Sequence, residues 1–365
     1  MVVIPPANPV FNKEMEEAAI NALRNERFIL GESVDKFEEE FAKYIGTDYA
    51  VSVSSGTNAL HLALLAADLI IGGEVITVAS SYIATANSIL HASGTPTFCD
   101  INDEYLIDVD QIPDKINKRT KGIMPVHLYG HPADMDEINE IANKNDLFVI
   151  EDCAQSHGAI YKGKMTGVLS DTGCFSFYST KNMTVCGDGG MVTTNDEKIA
   201  EKIKLLRNHG QYPKDVHTLI GYTARLNTVN AAIGRVQLKY LPKWIESRRN
   251  IAKEYHKLLS DVDEITLPPG DTDDKKPSYH IFEIKTKKRD ELLKFLKDQG
   301  IISLIHYPTP IPYQPIYKKL FGYKEGSYPK SEELSKQAMD LPMFPELKYD
   351  EIKYISEKIL KFFNR

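Results

Sequence analysis

What this sequence lacks narrows it first. No apolar run approaches the roughly 18 to 20 residues that span a bilayer, and the opening M-V-V-I-P-P-A-N-P has no charged stretch followed by an apolar one. A cytoplasmic protein without a membrane partner is expected. Cysteine is scarce: Cys99, Cys153, Cys174 and Cys186 stand far apart and form no C-x-x-C pair, so neither a zinc site nor a thioredoxin-like motif is expected. Buried or semi-buried thiols in a reducing compartment fit better. There is no basic block: 44 basic and 51 acidic residues are spread along the chain for a net charge of −7, which argues against nucleic acid as a partner. Internal repeats and low-complexity tracts are also missing.

What is present suits a globular enzyme-sized chain. A length of 365 residues with 42% hydrophobic content supports a sizeable core and about two domains. From residue 48 onward, short β-rich runs alternate with helical patterns: Y-A-V-S-V (49 to 53), E-V-I-T-V (74 to 78), T-P-T-F-C-D (95 to 100), G-I-M-P-V-H-L (122 to 128) and L-F-V-I-E-D (147 to 152). Such alternation predicts an α/β domain, and the nearly unbroken apolar character of the runs predicts parallel strands covered on both faces. Active sites of such sheets gather at the carboxyl ends of the strands. A charged helical pattern around Leu238 to Leu259 leads into a turn-rich segment and a short α+β pattern. The division expected is residues 1–245 as a large domain and 246–365 as a smaller one.

Three places at strand ends carry chemistry. In S-S-G-T-N-A-L, a strand ends at Ser54-Ser55-Gly56-Thr57 and a helix begins, which serves either as an ordinary N-cap or as an anion site built from free N–H groups and the helix dipole. The run L-F-V-I-E-D ends in Glu151-Asp152, with Gln155 and His157 in the next turn. A carboxylate at the end of a buried strand needs a positive or hydrogen-bonding partner. For Asp152 that partner is a metal ion or a protonated ring nitrogen, and the ligand spacing does not resemble a metal site. His157 is expected to be a satisfied buried histidine behind the site.

The third place is F-S-F-Y-S-T-K-N-M-T-V-C-G-D-G-G, residues 175 to 190. Its Lys181 reads either as a solvated surface charge or as a nucleophile. Glycines 187, 189 and 190 are expected to let the backbone turn tightly after it, while Ser176, Ser179 and Thr180 offer donors to a phosphate. An anion site, a carboxylate wanting a cation and a lysine able to condense with an aldehyde are together what pyridoxal phosphate requires.

On these motifs the sequence resembles the DegT/DnrJ/EryC1/StrS-type sugar aminotransferases. The resemblance runs through G-E-S-V-D-K-F-E-E-E-F, S-S-G-T-N-A-L, E-D-C-A-Q-S-H-G, S-F-Y-S-T-K-N, G-Y-T-A-R-L-N-T-V-N-A-A-I-G, H-Y-P-T-P-I-P-Y-Q-P and L-P-M-F-P-E-L, nearly the whole chain. It implies a fold-type-I pyridoxal-phosphate enzyme: a large domain with a mostly parallel seven-stranded sheet flanked by helices, and a small α+β C-terminal domain. It implies that Lys181 carries the cofactor and moves the proton, that Asp152 pairs with the ring nitrogen, and that Gln155 bonds the ring's phenolic oxygen. Tyr82 would stack on the ring, with Ser55, Gly56, Thr57 and Ser176 around the phosphate. A homodimer is implied, in which Thr223 reaches the phosphate from the neighbouring subunit, where many members carry asparagine. His306 and Tyr307 would reach the substrate.

The implied reaction passes an amino group from L-glutamate to a keto group of a nucleotide-linked sugar. The spacing K-N-x-x-x-x-G-D-G-G is similar to the branch that aminates C3. An aminocyclitol ketone with glutamine as donor and a cofactor-binding regulatory protein are the alternatives. A sugar dehydratase is disfavoured, because those relatives carry histidine where this chain has Lys181.

Overall fold

The structure, a computed structural model, describes residues 3–364. Its centre is a seven-stranded sheet in the order β1-β9-β8-β5-β4-β2-β3. The strands are β1 (Tyr49–Val53), β2 (Glu74–Val78), β3 (Thr95–Cys99), β4 (Thr120–Met124), β5 (Phe148–Asp152), β8 (Thr172–Ser176) and β9 (Gly190–Thr194), with the short β6 (Ile160–Tyr161) and β7 (Lys164–Met165) outside the sheet. β9 runs antiparallel to both neighbours, and the other six strands are parallel. The mostly parallel α/β sheet read from the sequence is therefore the observed one. Val, Ile and Thr dominate these strands, and β2, β8 and β9 are buried along their whole length. Burial on both faces is what their continuous apolar character requires.

Strand ends differ from expectation by small, explicable amounts. The run predicted at 122 to 128 forms β4 at Thr120–Met124, because Pro125 has no N–H to continue the ladder; Val126 then makes only an isolated bridge to Asp152. The helical pattern expected around Leu238 to Leu259 is the last part of a 32-residue helix, Thr228–Leu259. Its first turns, T-V-N-A-A-I-G-R-V-Q, are small and buried on most sides, so they lack the polar stripe that marks a surface helix.

Two cores lie along that helix. Leu238, Leu241 and Ile245 pack with Phe37, Phe41, Phe175 and Phe177 under the large sheet, whereas Ile251, Tyr255 and Leu259 pack with Phe282, Leu292, Ile355 and Ile359. The second core surrounds a small ladder of β11 (Phe282–Lys285) against β12 (Ala338–Leu341). A further strand, β10 (Lys275–Lys276), reaches across to pair with β6. Near the chain start, Ile4 packs into the second core, and its N–H donates to the Gly300 carbonyl at 2.9 Å. Among the described residues no helix is long and apolar enough to cross a membrane.

Candidate active site

The site forms where strand ends meet helix starts. β1 runs into the helix Gly56–Ala66, and Ser55 caps that helix by accepting the Asn58 N–H at 3.1 Å. Capping and anion binding are thus compatible: one side-chain oxygen serves one N–H, while the first N–H groups of any helix lack intrahelical partners and point outward along the positive dipole. β8 delivers Ser176 directly against this turn. A Cβ placed on Gly56 would lie 2.6 Å from the Ser176 Cβ, so only glycine lets the helix start approach the strand this closely.

Lys181 follows in a turn closed by its own N–H donating to the Tyr178 carbonyl at 2.9 Å. The glycines after it act differently from expectation. None of Gly187, Gly189 and Gly190 adopts a left-handed conformation; that position in the loop is taken by Cys186, at φ 57°. What the glycines supply is room: a Cβ on Gly190 would lie 2.4 Å from the Ser55 carbonyl oxygen, and one on Gly189 2.8 Å from the Val185 side chain. Cys186 is exposed, while Cys99, Cys153 and Cys174 are buried, and all four thiols are free.

Consecutive strand residues face opposite sides, so Glu151 and Asp152 part company. Glu151, wholly buried, turns away from the cavity and is saturated by His127 Nε2 at 2.9 Å, the N–H groups of Gly167 and Leu169 at 2.8 and 2.9 Å, and Ser170 Oγ at 3.1 Å. The tautomer of His127 follows, because Nδ1 accepts the Ala133 N–H at 3.0 Å and Nε2 must therefore carry the hydrogen. With Cys153 these two side chains form the one compact set of potential metal ligands among the described residues, and their lone pairs are already committed to hydrogen bonds.

Asp152 turns into the cavity. Its Oδ2 accepts from Thr85 Oγ1 at 2.8 Å and its Oδ1 from the Ala154 N–H at 3.1 Å. A hydroxyl has one hydrogen, so Thr85 in turn accepts from Ser81 Oγ at 2.9 Å. Burial pushes the carboxyl up, against the pull of the Thr85 and Ala154 donors and of the Lys181 charge. Burial pulls the Lys181 ammonium down to about 8, with Asp152 opposing the shift. Each group thus remains in want of a charge complement that the cavity leaves room for.

The cavity measures about 400 Å³. Ser55, Gly56, Thr57, Tyr82, Asp152, Gln155, Ser176, Lys181, His306 and Tyr307 all line it, so ten of the residues singled out in sequence meet in one place. Thr180 joins them; Ser179 sits on the exposed side of the turn and does not. Thr223 is exposed, outside the lining of its own chain's cavity, with its hydroxyl 3.2 Å from His209 Nε2. His157 departs from the satisfied histidine expected. It packs tilted against Phe175 and Phe177, neither ring nitrogen has a well-aligned partner, and burial draws it down to about 3.

Gln155 is fixed by its neighbours. Its Oε1 accepts the Tyr129 N–H at 2.7 Å, which turns the amide nitrogen toward Tyr307, whose hydroxyl accepts at 3.0 Å. Tyr82 faces Tyr307 at 5.7 Å between ring centroids. Sequence reading missed Thr85, Asp188 and His280, which also line the cavity. His280 arrives from the far side of the fold, with Nδ1 3.3 Å from Asn182 Oδ1, and nothing in P-S-Y-H-I-F marks it locally. The T-A-N of S-Y-I-A-T-A-N did hold a signal for Thr85: a hydroxyl in the first turn of the helix after β2, two strands from the one that carries Asp152.

A lysine, a helix-start cradle with a position only glycine can occupy, and a buried carboxylate with lone pairs to spare surround a cavity of cofactor size. Fold and site together define a pyridoxal-phosphate-dependent aminotransferase. The chain belongs to the DegT/DnrJ/EryC1/StrS aminotransferase family, whose model matches residues 9–360. It is 43% identical over 93% of its length to a pleiotropic regulatory protein of Geobacillus stearothermophilus, covering 92% of that protein. It is 39% identical over 92% of its length to the dTDP-3-amino-3,4,6-trideoxy-alpha-D-glucose transaminase of Streptomyces venezuelae, covering 88% of it. Among solved structures, S. venezuelae DesV in complex with a ketimine intermediate superposes with a TM-score of 0.95 at 36% identity, with 99% of each chain covered. A sugar aminotransferase of Streptococcus pneumoniae, described as putative and solved in its PLP form, superposes with a TM-score of 0.92 at 26% identity, with 97% of each chain covered.

Proposed function

We propose that this enzyme transfers an amino group from L-glutamate to the C3 keto group of a nucleotide-linked keto-deoxy sugar. The observation that carries the reading is Lys181 beside Asp152 in one cavity, its ammonium drawn down to about 8 so that a neutral amine is available near physiological pH. Support for C3 comes from three relatives of this chain at 38 to 40% identity, whose names specify 3-amino products or a 3-aminotransferase reaction. When bound, pyridoxal phosphate supplies an aldehyde that takes up the amino group and a ring that accepts electrons from the reacting carbon.

The chain's own residues would do the rest. Ser55, Gly56, Thr57 and Ser176 would bind the phosphate through the helix start and two hydroxyls. Asp152, held by Thr85, would keep the ring nitrogen protonated; Gln155 would orient the phenolic oxygen, and Tyr82 would cover the ring. Lys181 would hold the cofactor between turnovers and carry the proton between the substrate carbon and the cofactor during them. His306 and Tyr307 would meet the sugar.

We further propose a homodimer in which the segment around Thr223 lies beside the partner's cavity. In support, Thr223 is exposed in its own chain and follows two exposed apolar residues, Ile220 at 89% and Tyr222 at 37%. The proposed domains are residues 1–245 and 246–365, the boundary falling within the long helix between its two cores. Four unpaired cysteines suit a reducing cytoplasm.

The test is an absorbance spectrum of the purified protein before and after L-glutamate. A visible band that bleaches to the pyridoxamine form supports the donor half, and keto-sugars are then screened for its return. A band that glutamate leaves unmoved points to glutamine as donor, with an aminocyclitol ketone as acceptor. The name of the Geobacillus relative favours a second reading, a cofactor-binding regulator. A protein that shows the band with added cofactor but keeps it unchanged with every amino donor tried, glutamine included, would decide for that reading. Lys181→Ala is expected to lower turnover by at least about 10²-fold.

A further inference from the structure

Behind His306 lie two buried carboxyl groups that the reaction does not use. The ladder pairs Glu283 of β11 directly with Asp340 of β12. Side chains opposite each other on neighbouring strands sit close together, and like charges there repel. Glu283 is 0% exposed, and neither of its oxygens has a hydrogen-bond partner among the described residues. Asp340 is well partnered. Its Oδ1 accepts the Leu304 N–H, its own N–H donates to the Leu304 carbonyl at 3.0 Å, and its Oδ2 lies 3.3 Å from His306 Nδ1, within ion-pair distance but not aligned as a hydrogen bond. From the other side, the Tyr129 hydroxyl donates to the His306 carbonyl, and the Tyr129 N–H holds Gln155. The wall formed by His306 and Tyr307 is thus gripped by Asp340 from the small core and by Tyr129 and Gln155 from the large one.

An ionised Glu283 in such a place would set an uncompensated charge beside Asp340. The other groups facing Glu283 do not neutralise it. Arg289, whose charge pulls the Glu283 carboxyl down against burial, is itself engaged with Asp290 at 2.6 Å and the Ser335 carbonyl at 2.8 Å, and the phenols of Tyr105, Tyr129 and Tyr307 also feel the Glu283 carboxyl. A charge without a partner in the interior is relieved by taking up a proton. We propose that Glu283 is kept as a neutral carboxylic acid opposite Asp340, and that this arrangement makes the two carboxyls positioning residues that hold His306 at the acceptor end of the cavity. Burial, with Asp340 adding to it, raises the Glu283 carboxyl well above its ordinary range, in keeping with that assignment. The acceptor part of the proposal rests on the function proposed above; the protonation part does not.

Thermal melts of the holoenzyme and of Glu283→Gln across pH 5 to 8 test the protonation. A native carboxyl held neutral must bind a proton that the unfolded chain has released, so the wild type loses stability relative to the glutamine variant as pH rises. The gap in Tm is expected to widen by roughly 2 °C per pH unit. A gap that stays constant over this range would overturn the proposal. Asp340→Asn tests the positioning: the KM for the keto-sugar is expected to rise about tenfold more than the KM for L-glutamate. An equal effect on both would reduce Asp340 to a structural residue and overturn that half. If the wild type does not react with glutamate at all, the glutamate-donor reading fails, while the pH dependence of the melts still decides the state of Glu283.

Discussion

Thr85 Oγ1 donates to Asp152 Oδ2 across 2.8 Å, linking the first turn of one helix to the end of a buried strand two positions away in the sheet. This is the shorter of the two hydrogen bonds that reach the carboxylate, and it opposes the upward push of burial on Asp152. Thr85→Val keeps the shape and removes the donor. Loss of a hydrogen bond to a buried charged group costs about 1–3 kcal/mol, so cofactor affinity is expected to fall by about tenfold or more. Equilibrium titration of the variant apoprotein with pyridoxal phosphate measures it, and unchanged affinity would remove Thr85 from the site.

Gly56→Ala would set a Cβ 2.6 Å from the Ser176 Cβ and force the helix start away from β8. Overpacking of this kind costs about 1–3 kcal/mol, and here it also splays the proposed phosphate cradle. Both Tm and pyridoxal-phosphate affinity are expected to drop. Gly270→Ala is the control: nothing lies within 4 Å of the Cβ it would add, and no change is expected in either measurement.

A lysine reacts with an aldehyde as the neutral amine. With Lys181 drawn from 10.5 down to about 8 by burial, the rate at which apoprotein recaptures pyridoxal phosphate should climb with pH up to about 8 and then level off. A lysine of ordinary basicity would keep the rate climbing toward 10.5. Stopped-flow absorbance across that range separates the two.

Buried and exposed ion pairs should behave differently when one partner is removed. Arg207 and Glu38 are 6% and 8% exposed, and both hold Ser52 in β1: Arg207 donates to the Ser52 carbonyl at 2.7 Å, and Glu38 accepts the Ser52 N–H at 2.9 Å. Arg207→Met strands the carboxylate, and a loss of about 3–5 kcal/mol in unfolding free energy is expected. Lys144→Ala, whose pair with Glu140 is open to solvent at both ends, is expected to leave the unfolding free energy unchanged. Chemical denaturation of the two variants provides the comparison.

Much of this was legible in the chain because its signals are local. Apolar runs of strand length, serine before glycine at a helix start, and a carboxylate closing an apolar run each act within a few residues. Backbone hydrogen bonding and burial leave few other solutions for such stretches. The glycines after Lys181 were harder to read. Their presence is a sequence fact, but their use in clearing the Ser55 carbonyl and the Val185 side chain, while Cys186 takes the left-handed position, depends on what folds against them. His157 was misread for the same reason, since its surroundings are aromatic rings contributed by β8 and the residue after it.

The sequence by itself determined most of the parallel strands, the helix that follows Ser55, and the identity of Lys181, Asp152 and Gln155 as the residues to watch, because hydrophobic periodicity and strand-end chemistry are written in consecutive residues. Tertiary structure alone decided that Thr85 holds Asp152, that His280 joins the cavity from nearly 100 residues beyond Lys181, and that Glu283 meets Asp340 with nothing to neutralise it. Those contacts join segments distant in the chain, and their energies come from desolvation and charge, which depend on what surrounds a group in space rather than on what adjoins it in sequence.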